Sequence, residues 1–382
     1  MFMAIYLDHA ATTPIDPRVR EAMMPFLDDF FGNPSSIHQY GRKVRLAIDQ
    51  ARLQVAEALQ ADPSRIIFTS GGTEADNLAI MGVAAWYKEQ GKNHVITSQI
   101  EHHAVLDTCR YLEKIGFDVT YLPVDSTGVV DVEALRKAIT PKTSLISIMY
   151  GNNEVGTIQP IEEIGNIAHS YGIVFHTDAV QAFGLIDFQI ERLPVDLVSV
   201  SAHKINGPKG VGALYFSKKV HLLPRVFGGT QEKRRRAGTE NVPGIIGFGH
   251  AAKITKENRL AHQEEMWQLR KLFLSELKKQ EIHFVVNGHP ENVLPHILNI
   301  SFPDIDTETM LINFDLEDIA CASGSACTSG ALSVSHVLEA MRLPQDVTNS
   351  AIRFSFGKGN TKEEIKQTVE KTAKIIRRLT TS

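Results

Sequence analysis

Cysteine is scarce in this chain: three in 382 residues, at positions 109, 321 and 327. Three unevenly spaced cysteines build no disulfide framework and fit a reducing compartment. The spacing of Cys321 and Cys327 matches no zinc-type pair, which leaves a metal site built on them and nearby His336 as a minor alternative. No run of eighteen apolar residues occurs, so no membrane-spanning helix is expected. The opening MFMAIYLDHAATTP carries Asp8 early and lacks a basic segment followed by a long apolar stretch, so it does not read as a secretory signal. The chain reads as cytoplasmic. Net charge is only −4, so no global field calls for a nucleic-acid or anionic-membrane partner. No GxGxxG opens a helix after a strand, which disfavours a nicotinamide or flavin site. Internal repeats and low-complexity tracts are also missing.

What is present looks like an ordinary globular protein, 43% hydrophobic and 22% charged, with apolar mass for a sizeable core. Its length favours two domains, or one large domain with an appendage. From about residue 64 to 216, strand-like and helix-like segments alternate. RIIFTS reads as a short buried strand and TEADNLAIMGVAAWYKEQG as an amphipathic helix ending at Gly91. HVITS, a helix from about Glu101 to Lys114, and DVTYLPV repeat the scheme. TSLISIMYG, IEEIGNIAHSYG, IVFHTDAV, DLVSVSAHK and GALYFS continue it. This alternation predicts an α/β domain whose mostly parallel sheet is covered by helices on both faces.

After Gly244 the texture changes. A long polar helix, about Ala251 to Lys279, leads to the short strands HFVVNG, HILNISF, DIACAS and AIRFSF. Helices near Thr307–Phe314 and Lys362–Leu379 accompany them. The expected division is a large domain over residues 14–255 and a smaller α+β domain over 1–13 and 256–382.

Ligands in open α/β sheets bind at the carboxyl ends of strands, where Thr69–Thr73, Asn152–Asn153, Asp178 and His203–Lys204 all fall. Lys204 follows an apolar strand, with His203 beside it and glycines after it. Asp178 ends the strand IVFHTD. A lysine that anchors pyridoxal phosphate as a Schiff base, with an acid at the pyridine nitrogen, fits this pair. A loop lysine and a helix-capping Asp fit it equally well. SGGTEADN (70–77) offers a glycine turn at a helix start, suited to a phosphate, although Thr73 also serves as an N-cap. Ser201 and His203 could add donors. His102 sits at a strand-to-helix corner, where it could cover an aromatic cofactor; in isolation a structural role is the stronger reading. Adjacent His102 and His103 do not face one metal.

Cys327 lies among Ser323, Gly324, Ser325, Thr328, Ser329 and Gly330, a composition of surface loops where a nucleophilic thiol would be accessible. Cys321 reads as an inert strand residue and Cys109 as a core residue. Arg353, among apolar residues at strand period, needs a carboxylate, supplied either by an amino-acid substrate or by an internal ion pair. KRRR (233–236) reads as a solvated basic cluster or, weakly, a nucleic-acid patch. A cofactor-anchoring lysine together with a nucleophilic cysteine points to pyridoxal-phosphate chemistry that moves sulfur.

Segments along essentially the whole chain resemble the NifS/IscS-like cysteine desulfurases of the fold-type-I pyridoxal-phosphate superfamily. They are YLDHAATTP, FGNPSSIH, FTSGGTEADNLAI, EHHAVLDTC, MYGNNEVGTIQP, HTDAVQAFG, SAHKINGPKG, RAGTENVPG, SGSACTSG and SAIRFSFG. The resemblance implies a seven-stranded large domain and a small domain carrying the cysteine loop. It implies Lys204 as the Schiff-base lysine, Asp178 at the pyridinium and Gln181 at the phenolic oxygen. His102 would stack on the ring and shuttle protons, and Gly72, Thr73, Ser201 and His203 would hold the phosphate. Thr239 would reach in from the second subunit of a homodimer, with Arg236 at the same interface. Asn153 and Arg353 would bind the carboxylate of L-cysteine, and Cys327 would take its sulfur.

The acceptor implied is a tRNA 2-thiouridylase or, second, an iron–sulfur scaffold. The end of the chain at Ser382, without the extension longer relatives use for scaffold docking, and the GNNEVGT and NVPG details point to the first. A selenocysteine lyase, an aminotransferase and a non-catalytic sulfur carrier are the competing readings. The loop sequence SGSACTS, Cys327 and the intact Lys204–Asp178–His102 set argue against them in turn.

Overall fold

The computed structural model describes residues 5–303, 305–324 and 334–380. The first strand is short: β1, Ile5–Tyr6. The central sheet then takes β2 (Ile66–Thr69), β3 (His94–Ser98), β4 (Asp118–Leu122), β5 (Thr143–Ser147), β6 (Val174–Asp178), β7 (Leu197–Ser201) and β8 (Gly212–Phe216). Their order is β2-β8-β7-β6-β5-β3-β4. All neighbours are parallel except β8, which runs antiparallel to both β2 and β7. The seven-stranded, mostly parallel sheet expected from the sequence is therefore present. Strands β2, β3, β5, β6 and β7 are buried along their whole length, as strands of a mostly parallel sheet covered on both faces are. Edge strand β4 is half-exposed and opens on Asp118.

The helix Gly72–Lys88 stops short of the expected end at Gly91, which turns the chain with φ 76°. The long helix runs from Val242 to Lys279, so it begins well before the expected Ala251. Pro243 and glycines 244, 247 and 249 read as turn residues, yet each has a place inside this helix. Pro243 lies in the first turn, where no backbone N–H is needed, and the Asn241 side chain caps the Gly244 N–H at 3.2 Å. A Cβ on Gly249 would stand 2.6 Å from Ala51 Cα, and one on Gly247 would stand 2.6 Å from Met23 Sδ. Those glycines let the helices Gln39–Leu59 and Pro17–Met23 approach closely.

The C-terminal segment adds β9 (Val285–Asn287), β10 (Ile297–Ser301), β11 (Ile319–Ala320) and β12 (Ala351–Ser355). Strands β12-β10-β9 form an antiparallel sheet, and β1 pairs with β11. Ile5 and Leu7 join Leu298, Ile300, Phe302, Phe314 and Phe354 in one apolar cluster. The long helix serves two clusters. Ile245 to Ala252 pack on the central sheet, while Met266, Leu269, Phe273 and Leu277 pack on the C-terminal strands.

Candidate active site

Strands β2, β6 and β7 of the central sheet run in one direction and end at the same edge. After β7 the chain makes a single tight turn, Ala202–Lys204, and the Lys204 Nζ donates to the carbonyls of Ala10 and Ala11. Asp178 is the last residue of β6, and its Oδ1 accepts the Val180 N–H at 2.8 Å. Burial pushes the Asp178 carboxyl up, and nearby His102 and Lys204 partly offset this. His102 caps the helix His103–Lys114, its Nδ1 accepting the Ala104 N–H at 3.1 Å. Burial pulls the His102 imidazole down, while Asp178 draws it back up. These three groups, separated by about a hundred residues in sequence, thus sense one another's charge. His102 fulfils the structural reading as the helix cap.

Two of the residues expected to hold the phosphate, Gly72 and Ser201, lie side by side. The helix starts at Gly72 with Gly71 as its N-cap, so Thr73 lies in the first turn and is not the cap. The backbone at Gly71 runs close to β8: a Cβ on Gly212 would stand 2.7 Å from the Gly71 carbonyl carbon, whereas one on Gly71 would face open space. The Ser201 Oγ is buried at the end of β7 with no hydrogen-bond partner. A Cβ on Gly72 would lie 3.7 Å from Ser201 Cβ and 2.8 Å from Val180 Cγ2. The His203 ring faces Thr12 Oγ1 at 3.2 Å, and burial beside Lys204 and Lys209 lowers its pKa to about 4. Gln181 is buried, its Nε2 donating to the Ala10 carbonyl at 2.9 Å.

Arg353, on β12, takes the internal ion pair: Nη2 meets Asp8 Oδ1 at 2.9 Å, and Nη1 donates to the Asn153 carbonyl at 3.0 Å. Asn153 and Arg353 are therefore in contact, and the Arg353 Nε is buried without a partner. Arg236 of the basic cluster is bound to Glu74 at 2.8 Å, which pins the segment bearing exposed Thr239 beside the first turn of the Gly72 helix. Cys327 lies outside the described residues. Ala322, before it, exchanges two backbone hydrogen bonds with Arg353, and Ser335, after it, donates to Glu154, next to Asn153. Burial pushes the Cys321 and Cys109 thiols up, Cys109 to about 12, which fits their inert reading. Among the described residues no group of three or more His, Cys, Asp or Glu side chains is arranged for a metal.

A polar layer under the site escaped the sequence reading. His176 is fully buried between Ser147 Oγ (2.8 Å) and Ser199 Oγ (2.9 Å), with Asp76 Oδ1 at 3.5 Å. Glu101 accepts from Ser98 Oγ at 2.6 Å and from the Met149 N–H at 3.0 Å, and burial raises its carboxyl to about 8. The only sequence signal was the presence of titratable residues inside otherwise apolar segments.

Comparison with known proteins matches residues 5–368 to the aminotransferase class-V family. The chain belongs to that family. Its enzymes depend on pyridoxal phosphate. "Cysteine desulfurase IscS" of Dictyoglomus turgidum is 49% identical over 99% of this chain and 95% of that protein. The Methanosarcina thermophila protein of the same name is 47% identical over 98% and 93%. A solved "NifS-like protein" superposes with TM-score 0.92 at 40% identity, covering 98% of this chain and all of that one (100%). The site fits the cofactor: an unpartnered buried Ser201 hydroxyl beside a helix start that excludes a side chain at Gly72 is what its phosphate requires.

Proposed function

We propose that the protein is a pyridoxal-phosphate-dependent cysteine desulfurase, which converts L-cysteine to L-alanine while its sulfur passes to Cys327 as a persulfide. The observation that carries this reading is the convergence of Lys204, Asp178 and His102 beside the Ser201–Gly72 cradle, in a chain about half identical to proteins named for that activity.

When bound, pyridoxal phosphate supplies an electron sink that stabilises negative charge at the substrate α-carbon. Lys204 would hold the cofactor, and its side-chain amine would take the substrate's α-proton. The Asp178 carboxylate pairs with the pyridine N–H; without a cationic partner its burial opposes ionisation. Gln181 donates to the phenolic oxygen, and His102 covers the ring and moves protons. Gly72, Thr73, Ser201 and His203 hold the phosphate, joined by Thr239 of the partner subunit. Asn153 and Arg353 would fix the substrate carboxylate, Arg353 giving up its pair with Asp8 for the substrate. The Cys327 thiolate attacks the substrate sulfur; the C–S bond breaks, the S–S bond forms, and the carbon skeleton gains protons to leave as alanine.

The homodimer is supported by exposed Phe31, Ile37 and Phe227, with the Phe31 and Tyr40 rings 5.7 Å apart, an apolar surface that association would cover. The domain split at 14–255 against 1–13 and 256–382 is supported by the two apolar clusters. For the acceptor we place a tRNA 2-thiouridylase ahead of an iron–sulfur scaffold, and the reaction in the cytoplasm. No helix among the described residues is long and apolar enough to cross a membrane.

The test is to record the visible spectrum of purified protein, add L-cysteine, and assay alanine together with persulfide at Cys327. The expected result is a yellow protein that yields both. Lys204→Ala should lose the colour and the reaction. Cys327→Ala should keep the colour and form no persulfide. A colourless wild type that added cofactor cannot restore would overturn the assignment.

A further inference from the structure

We propose that His296 is a positioning residue: it orients the Gln181 side-chain amide so that its NH2 group, and not its oxygen, faces the cofactor's phenolic oxygen. The proposal rests on the cofactor reading given above. It concerns a residue of the C-terminal segment, 115 positions from Gln181 in sequence, whose Nε2 lies 3.3 Å from Gln181 Oε1.

The hydrogen-bond network leaves one self-consistent assignment. The Ala10 carbonyl only accepts, so the Gln181 group facing it at 2.9 Å is the NH2. The Gln181 oxygen therefore faces His296, and the His296 nitrogen nearest to it carries the proton. The other ring nitrogen, Nδ1, is buried without a partner, as a neutral imidazole with one N–H allows. The charged and titratable groups around His296 are His9, His262, Lys204 and Arg353. None is an anion that would hold a second proton on the ring. Gln181 has two N–H bonds, and with one on Ala10 the second is left for a ligand at Lys204.

Two hydrogen bonds select this orientation together: the Ala10 carbonyl takes the NH2 group and the His296 N–H gives to the oxygen. An inverted amide would put an oxygen against the phenolic oxygen, two acceptors face to face. His296 itself is held in place: its carbonyl accepts the Phe356 N–H at 2.8 Å, one residue before β10. The hydrogen bond thus transmits the placement of the C-terminal strands to the cofactor's electronic state.

The experiment is a pH titration of the visible band in wild-type holoenzyme, His296→Leu, Gln181→Ala and the double variant, with no substrate present. His296→Leu should move the midpoint by about half to one pH unit, the size of a single hydrogen bond's preference, in the same direction as Gln181→Ala. The double variant should move no further than Gln181→Ala alone, and His296→Asn, which restores an N–H donor, should return most of the shift. A coloured wild type whose midpoint His296→Leu leaves unchanged overturns the role of His296 alone, as does a full His296→Leu shift in the Gln181→Ala background. A colourless wild type removes the cofactor reading and this proposal with it. If the Leu variant does not fold, ¹⁵N-histidine spectra of the wild type decide the matter. An Nε2–H tautomer at His296 is expected, and an Nδ1–H tautomer overturns the assignment.

Discussion

Asp178 shows how much one side chain depends on what stands opposite it. Its carboxyl ends a fully buried strand, and burial alone pushes its pKa up. Only a cation beside it makes the anion favourable there. Asp178→Asn keeps the shape and removes the charge that, in the proposed function, would keep the ring nitrogen protonated. The variant should retain colour while kcat for alanine formation falls by about 10²–10³-fold, the usual cost of removing one preorganised charge. A kcat within a few-fold of wild type would place the essential charge elsewhere. Arg353 carries the opposite lesson. The sequence left its partner open between a substrate and an internal acid, and the fold supplies Asp8 at 2.9 Å together with the Asn153 carbonyl.

Among the elements, the junction of β2 with the Gly72 helix is tightly packed. The Gly72 Cα faces Val180 so closely that a methyl group would sit 2.8 Å from its Cγ2. Gly72→Ala should therefore displace the first helical turn, and with it the backbone N–H groups offered to the phosphate. Overpacking of this kind costs about 1–3 kcal/mol, so cofactor affinity should fall on the order of tenfold or more, measured by reconstitution of the cofactor-free protein.

The layer beneath, on β5, β6 and β7, predicts a pH effect. Burial lowers the His176 pKa to about 3, against about 6.5 in the unfolded chain. A depressed folded-state value makes the His176 contribution to stability complete above about pH 6.5 and progressively lost as pH falls toward 3. His176→Asn should thus be less stable than wild type at pH 7.5, and the gap in Tm should narrow as the pH is lowered to 4. A gap that stays constant or widens on acidification would show that His176 is not held neutral.

At the scale of the molecule, the long helix Val242–Lys279 ties two apolar clusters into one body. Leu294, Ile297 and Ala351 of the C-terminal segment also pack into the cluster of the central sheet, which strengthens the tie. Phe273, in the second half of the helix, meets the Phe354 ring at 4.8 Å between centroids. Phe273→Ala should cost roughly 3–5 kcal/mol and lower Tm, yet unfolding followed by far-UV circular dichroism and by the cofactor band should remain one coincident transition. Two separated transitions would mean that the helix links the clusters without coupling them.

The central sheet was legible before any coordinates because its strands are buried on both faces. Full burial lets apolar residues fall on both faces, as at Ile66–Phe68 and Leu197–Val198, with the Ser, Thr and His residues among them bonded inside the sheet. Lys204, Asp178, Gly72 and Ser201 were legible for a related reason: each follows directly from the end of such a strand, so chain position already placed them at one edge. The start of the long helix was not, because glycine and proline signal a turn locally. Pro243 is admitted by its place in the first turn, and Gly247 and Gly249 by close contact with two helices some two hundred residues earlier. The Arg353–Asp8 pair, the Arg236–Glu74 clasp and the His296–Gln181 hydrogen bond were beyond the sequence for the same cause. A side chain's partner across 115 to 345 residues leaves no local periodicity, and only packing decides which donors and acceptors meet.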